Sequence, residues 1–184
     1  AIGDLLDDLL YPYQDPSFST FNVPFSTADL EVGATLDING NYTWAFSNSA
    51  NVSNNTLDIK RGTSSFNPNT SIVTNTSTTS PYTASGLSSL TFSSPTTQSF
   101  KAFADNTNSV QFSSTSKSVS WKWKLFFGTS SSATLDESGI EGLSGSALVI
   151  SKNGTRSFAA GDYKYFAWPN SLGSPTASTG FKDT

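Results

Sequence analysis

The sequence predicts a mainly β protein: an antiparallel β-sandwich with a short N-terminal helix before it and an additional β-rich lobe after it. Three observations carry this expectation. Apolar and polar residues alternate over short stretches, the pattern of strands with one face buried. The stretches are separated by turn residues, as at Asn39-Gly40-Asn41, Asn54-Asn55, Arg61-Gly62, Pro81, Pro95 and Asp105-Asn106. Finally, the 184-residue chain is 13% aromatic, with 14 Phe, 6 Tyr and 4 Trp, but only 13% charged. Each large ring buries roughly 150–250 Å², so the rings can build a core. Ser, Thr and Asn make up more than a third of the chain and suit solvated strand faces and turns.

Taken in order, Ile2, Leu5, Leu6, Leu9 and Leu10 fall at i, i+3, i+4, i+7 and i+8, a one-sided helical stripe, with Asp4, Asp7 and Asp8 on the remaining surface. Tyr11-Pro12 and Asp15-Pro16 end it, because the residue before a proline is driven out of the α region. So short a helix is marginal alone, so residues 1–16 are expected to be an oligomerising helix and linker packed on copies of itself. Docking on its own domain is the alternative.

Residues 17–128 are expected to form the sandwich. Its candidate strands are Phe18–Val23, Asp29–Val32, Tyr42–Ser47, Thr56–Lys60, Ser71–Thr74, Ser88–Phe92, Gln98–Ala104 and Ser118–Phe127. The last has the clearest pattern. Val119, Trp121, Trp123, Leu125 and Phe127 point one way, and Ser118, Ser120, Lys122 and Lys124 the other. Residues 129–184 are expected to start a C-terminal lobe that is incomplete. There Leu135, Ile140, Leu143 and Leu148 have loosely helical spacing, interrupted by Gly139, Gly142 and Gly145, and Tyr163–Trp168 forms an aromatic strand ended by Pro169.

The composition excludes much chemistry. Without His or Cys there is no Ser-His-Asp or Cys-His machinery, no ordinary zinc site and no disulfide. A net charge of −4 and a pI near 4.6 give no broad basic surface, so nucleic acid is not an expected partner. No apolar run approaches 20 residues, so no membrane insertion is expected. No basic segment followed by an apolar one opens the chain, so no secretion signal is expected. The chain begins at Ala1 and contains no Met, which leads to the expectation that it is a piece of a longer or processed chain.

Paired carboxylates are the catalytic device this composition permits. Asp7/Asp8, and Asp136/Glu137 with Glu141, are candidates for glycosidase acid–base work, with Asp58 and Asp162 more remote. Asp136 and Glu137 are equally suited to the positive end of a short helix, and the chain is expected not to be an enzyme and to need no cofactor. Asp105-Asn106-Thr107-Asn108 has oxygen ligands at alternating positions but lacks the glycine and bidentate Glu of a calcium loop, so it is expected to be a turn. Trp44, Trp121 and Trp123 are expected in the core. Tyr163, Tyr165 and Trp168 are the candidate ligand or partner contacts, because both faces of that strand carry rings. Asn41, Asn51, Asn54, Asn69, Asn75 and Asn153 match Asn-X-Ser/Thr, only slightly above chance for this composition.

The segment Tyr42-Thr43-Trp44-Ala45-Phe46-Ser47-Asn48-Ser49-Ala50-Asn51-Val52 resembles the early strand and turn of bacterial immunoglobulin-like domains. It is preceded by Leu9-Leu10-Tyr11-Pro12-Tyr13-Gln14-Asp15-Pro16-Ser17-Phe18, and followed by Trp121–Gly128 and then Gly161–Pro169. This order resembles virion structural proteins of tailed bacteriophages, in particular fibre-like and baseplate-associated proteins of aquatic and cyanobacterial phages. The resemblance implies a stem leading into an immunoglobulin-like sandwich and a terminal β-rich lobe, assembled as a homotrimer with other virion proteins. It also implies a location on the virion and a part in host attachment, with host-surface glycans as candidate partners. The family's C-terminal part continues well past Gly180-Phe181-Lys182-Asp183, a departure that bears on any receptor-binding tip. A carbohydrate-binding or adhesin module of a bacterial surface protein is the alternative.

Overall fold

The computed structural model describes residues 9–10, 12–63, 69–151 and 156–170, and about half of these lie in strands. The chain is mainly β and divides into two units. Unit 1 comprises residues 1–27, 36–90 and 97–119, and unit 2 residues 28–35, 91–96 and 120–184.

In unit 1, a three-stranded sheet has the order β1 (Ser17–Asn22), β4 (Gly40–Ser47), β7 (Tyr82–Ala84). Both pairings are antiparallel: Phe21 lies opposite Trp44, and Tyr42 opposite Tyr82. A second set joins β9 (Thr96–Asp105) to β5 (Leu57–Gly62), β5 to β6 (Asn69–Thr76), and β9 to β10 (Gln111–Ser113), all antiparallel. Alternation decides which side of each strand is buried. Phe21, Tyr42 and Trp44 of the first sheet, and Leu57, Ile59, Phe100, Ala102 and Ala104 of the second, are buried. Between them, Asp58, Lys60, Lys101 and Phe103 are only partly covered.

Rings link the two sets. Phe18 of β1 and Phe46 of β4 lie 5.4 and 5.9 Å from Phe112 of β10, and Phe25 lies 6.4 Å from Tyr42 and 4.8 Å from Phe100. These separations favour ring pairs in tilted or edge-on geometry. Trp44 is buried as expected, and its indole N–H donates to the Thr78 carbonyl at 2.9 Å.

Unit 2 is organised on β11 (Lys117–Ser130), whose residues from 120 onward belong to it. Trp121 and Lys122 pair in parallel with Leu30 and Glu31 of β2 (Leu30–Glu31). Further along, β12 (Gly145–Val149) and β13 (Tyr163–Ala167) both pair antiparallel with β11. Phe126 lies opposite both Ser146 and Ala167, and Phe127 opposite both Gly145 and Phe166. A strand residue has two edges, so β12 and β13 flank β11 on opposite sides. Trp121 is fully buried, as expected. Its indole N–H donates to the Ala34 carbonyl at 2.8 Å, and Phe92 meets its ring edge-on at 4.8 Å. Trp123 is only partly buried.

Most expected strands are present with shifted ends, but the structure adds four. These are β3 (Thr35–Leu36) and β7, too short for any alternation to show, together with β10 and β12. β3 pairs with β8 (Leu90–Thr91), the remnant of the expected Ser88–Phe92. The helical spacing over 135–148 yields only α1 (Glu137–Glu141). It stops at Gly142, and the residues after it extend into β12, because Gly142 and Gly145 remove helix preference from this stretch. The boundary expected after Gly128 falls inside β11, which is continuous to Ser130. Of the stripe expected at the N-terminus, Leu9 and Leu10 are helical and 80% and 60% exposed, while Ile2, Leu5 and Leu6 lie outside the described residues. Among the described residues no helix is long and apolar enough to cross a membrane.

Candidate contact surface

β13 brings the candidate contact residues onto unit 2, and its register fixes where each points. Residues directly opposite in an antiparallel pair share a face. Tyr163 lies opposite Ser130, and Tyr165 opposite Gly128, so both share the face of Phe126 and Lys124. Lys164 and Phe166 lie opposite Thr129 and Phe127, on the face that carries Leu125 and Trp121. Trp168 follows the strand and stacks tilted on Phe166 at 5.3 Å. The structure therefore groups Tyr163 with Tyr165 and sends Trp168 to the opposite face.

The two tyrosines are held differently. Tyr163 is 45% exposed. Tyr165 is half-buried, and its hydroxyl donates to the Ser132 carbonyl at 2.7 Å, which ties the strand to the turn after β11. Its partner across the ladder, Gly128, has no side chain, and the space a Cβ would take there is closed by Ser144 and Leu143, at 3.1–3.3 Å. On the same face, Lys124 sits over the Phe126 ring at 4.9 Å and 3.8 Å from the Glu31 carboxylate, and Lys122 pairs with Asp29. The result is a strip of rings and compensated charges with one freely presented ring, Tyr163. Sequence reasoning did not single out Phe126 and Lys124 as part of this face. The signal was present in the parity of Phe126 with Lys124 and Lys122, but the pairing of β13 to β11 was needed to place the tyrosines beside them.

The other candidates have structural partners. The Asp136 side chain accepts the Gly139 N–H at 2.8 Å and caps α1, with Glu137 in its first turn. Asp58 accepts the Asn75 N–H at 2.9 Å and lies 3.0 Å from Lys60. Asn106 is buried, and its side-chain oxygen accepts the N–H groups of Asn108 and Val110 at 3.0 and 2.9 Å, so Asp105–Asn108 is a turn organised by one amide. A shallow hollow in unit 1 is lined by Asn22, Val23, Phe25, Thr27 and Lys117, and it brings no acid–base pair together.

Among the described residues, two groups titrate away from their ordinary values. The Asn39 backbone N–H and side-chain amide both donate to the Asp37 carboxylate, at 2.9 and 2.7 Å, and hold it below the usual carboxylate range. Burial, with the Asp37 charge nearby, pushes the Tyr42 phenol well above its ordinary value.

Fold and surface together define a two-unit, mainly β protein with an aromatic edge strand. The chain matches no protein-family model, no curated protein and no solved structure.

Proposed function

We propose that this chain is a structural component of a tailed-bacteriophage virion, a projecting part of a tail fibre or baseplate that contributes to adhesion at the host surface. The observation that carries the reading is where its polar side chains go. Asp136 caps a helix, Asp58 and Asp37 hold turns, Asp29 pairs with Lys122, and the Asn39 and Asn106 amides organise loops. Side chains engaged in this way build a durable scaffold. The absence of Cys and Met leaves little to oxidise in a part outside the cell. The resemblance of Tyr42–Val52 and its flanks to phage structural proteins points the same way.

Within that reading, unit 1 is an immunoglobulin-like sandwich. Its support is the hydrogen bond from the Tyr42 hydroxyl back to the Ile38 carbonyl, four residues upstream, the geometry of a tyrosine corner, together with the two ring-bridged sets of strands. The chain assembles as a homotrimer through the Ile2, Leu5, Leu6, Leu9 and Leu10 stripe, with other virion proteins as neighbours. Mass spectrometry of purified virions tests the proposal, and absence of the chain from them overturns it. Deleting the first ten residues should lower the mass seen by light scattering, and an unchanged mass removes the trimer.

A second reading, a glycan-binding or adhesin module of a bacterial surface protein, is favoured by Tyr163, exposed on the same face as Tyr165. Titration with polysaccharide tests whether this face binds glycans, and mass spectrometry of purified virions separates the two readings, since a module of a bacterial surface protein is absent from them.

A further inference from the structure

Three asparagine side chains of unit 1 converge on one short extended segment. The Asn48 amide donates to the Asp15 carbonyl at 3.0 Å, the Asn51 amide to the Gln14 carbonyl at 2.7 Å, and the Asn106 amide to the Asp15 carboxylate at 3.4 Å. The segment makes no strand pairing before Ser17, so its carbonyls are open to side-chain donors. Pro16, which follows the two clamped residues, is buried and has no N–H of its own to satisfy. We infer that Asn48, Asn51 and Asn106 form a clamp that makes Gln14–Pro16 a fixed mount, rather than a swivelling linker, for the chain that precedes it.

The donors are themselves rigidly carried. Asn48 is in the left-handed region, at φ 52, where asparagine is among the few residues that sit easily. From there the chain closes a 3-10 turn over Ser49–Asn51, with the Asn51 N–H donating to the Asn48 carbonyl at 3.0 Å. That turn is tied to the Asn106 loop. The Thr107 N–H donates to the Asn51 carbonyl at 2.9 Å, and the Ser53 hydroxyl to the Asn106 carbonyl at 2.8 Å. The Asn106 amide can point only one way, because its oxygen is taken by two backbone N–H groups and its nitrogen is left facing Asp15. A linker of proline and polar residues alone would let the preceding chain swing. A clamp drawing on two loops holds its direction, which a projecting part needs. The inference stands whether or not the chain belongs to a virion.

The chain has no cysteine, so a nitroxide attached at Tyr13→Cys reports this segment alone. The parent should give a slow-motion spectrum. Asn48→Asp/Asn51→Asp keeps side-chain size and loop conformation but removes both donors, and should narrow the lines. It should also raise the rate of chymotryptic cleavage after Tyr13 in the unlabelled protein by about tenfold or more, since losing each hydrogen bond opens the segment roughly fivefold. Asn48→Gly/Asn51→Ala removes the donors without adding charge and should behave alike. A freely tumbling label in the parent, or variants with unchanged spectrum and cleavage rate, overturns the clamp. Light scattering on the same samples reads the oligomer separately, so failure of the clamp and failure of the trimer are distinguishable.

Discussion

The Tyr42 hydroxyl donates a 2.8 Å hydrogen bond to the carbonyl oxygen of Ile38, and both residues are buried. The bond lets a phenol lie in the core with its one polar atom satisfied, and it ties the entry of β4 to the segment before it. Tyr42→Phe should therefore cost about 1–3 kcal/mol by leaving the Ile38 carbonyl without its donor. Urea denaturation measures this. The same residue sets an alkaline limit. The folded phenol titrates above its ordinary value of 10.0, so stability is fully present below pH 10.0 and falls as the pH rises beyond it, because the unfolded chain ionises first. That slope should be reduced in Tyr42→Phe.

Asp37 acts in the opposite sense at the acid end. Its carboxyl is lowered from 3.8 by two hydrogen bonds from Asn39. Its contribution is present above pH 3.8 and lost as the pH falls through the lower folded value. An NMR titration of the Asp37 carboxyl should find its midpoint below 3.8, and Asn39→Ala should return it toward that value.

Gly145 lies opposite Phe127 in the β11–β12 ladder, and a Cβ there would come within 2.7 Å of the ring at Cδ2. The clash is with a side chain packed in unit 2, where Phe158 meets Phe127 edge-on at 6.4 Å. Gly145→Ala should destabilise the protein by about 1–3 kcal/mol. Phe127→Leu in the Gly145→Ala background should recover part of the loss, read as a coupling in a double-mutant cycle.

Asp136→Ala should cost about 0.5–2 kcal/mol through loss of the α1 cap, with Asp136→Ser retaining most of the stability. Hydrogen exchange at Gly139 reports the cap directly. If polysaccharide cleavage by the protein were measured and Asp136→Asn abolished it, a hydrolase would replace the structural reading.

Tyr163→Ala should change stability by less than about 0.5 kcal/mol, because the ring is exposed at a strand end. If the glycan reading holds, the same substitution should weaken polysaccharide binding several-fold in calorimetry, while Trp168→Ala, on the other face, should not. Equal losses from both would contradict a binding face made by Tyr163 and Tyr165.

Much of the β pattern was legible because it is local. The alternation from Ser118 to Phe127 announced β11 and its buried Trp121, and Asp105-Asn106 announced a turn. β3 and β7 were not legible, since two- and three-residue strands carry no period. β12 was hidden by leucines whose spacing also suits a helix. Of the candidate contact residues, the sequence placed rings on both faces of the strand at Tyr163–Trp168, but it could not say which ring would be presented or which would be pinned, as Tyr165 is by Ser132.

The sequence by itself determined the strand-and-turn character of this protein and its lack of His, Cys and Met chemistry, because side-chain period, turn preference and composition are properties of neighbouring residues. Only the tertiary structure decided that β11 is flanked by both β12 and β13, that Gly145 lies opposite Phe127, and that Asn106 reaches Asp15 across 91 positions of sequence. Those outcomes depend on which distant edges and loops meet. Strand partners and register are selected by the summed burial and hydrogen bonding of the whole fold, and no local stretch of sequence carries that sum.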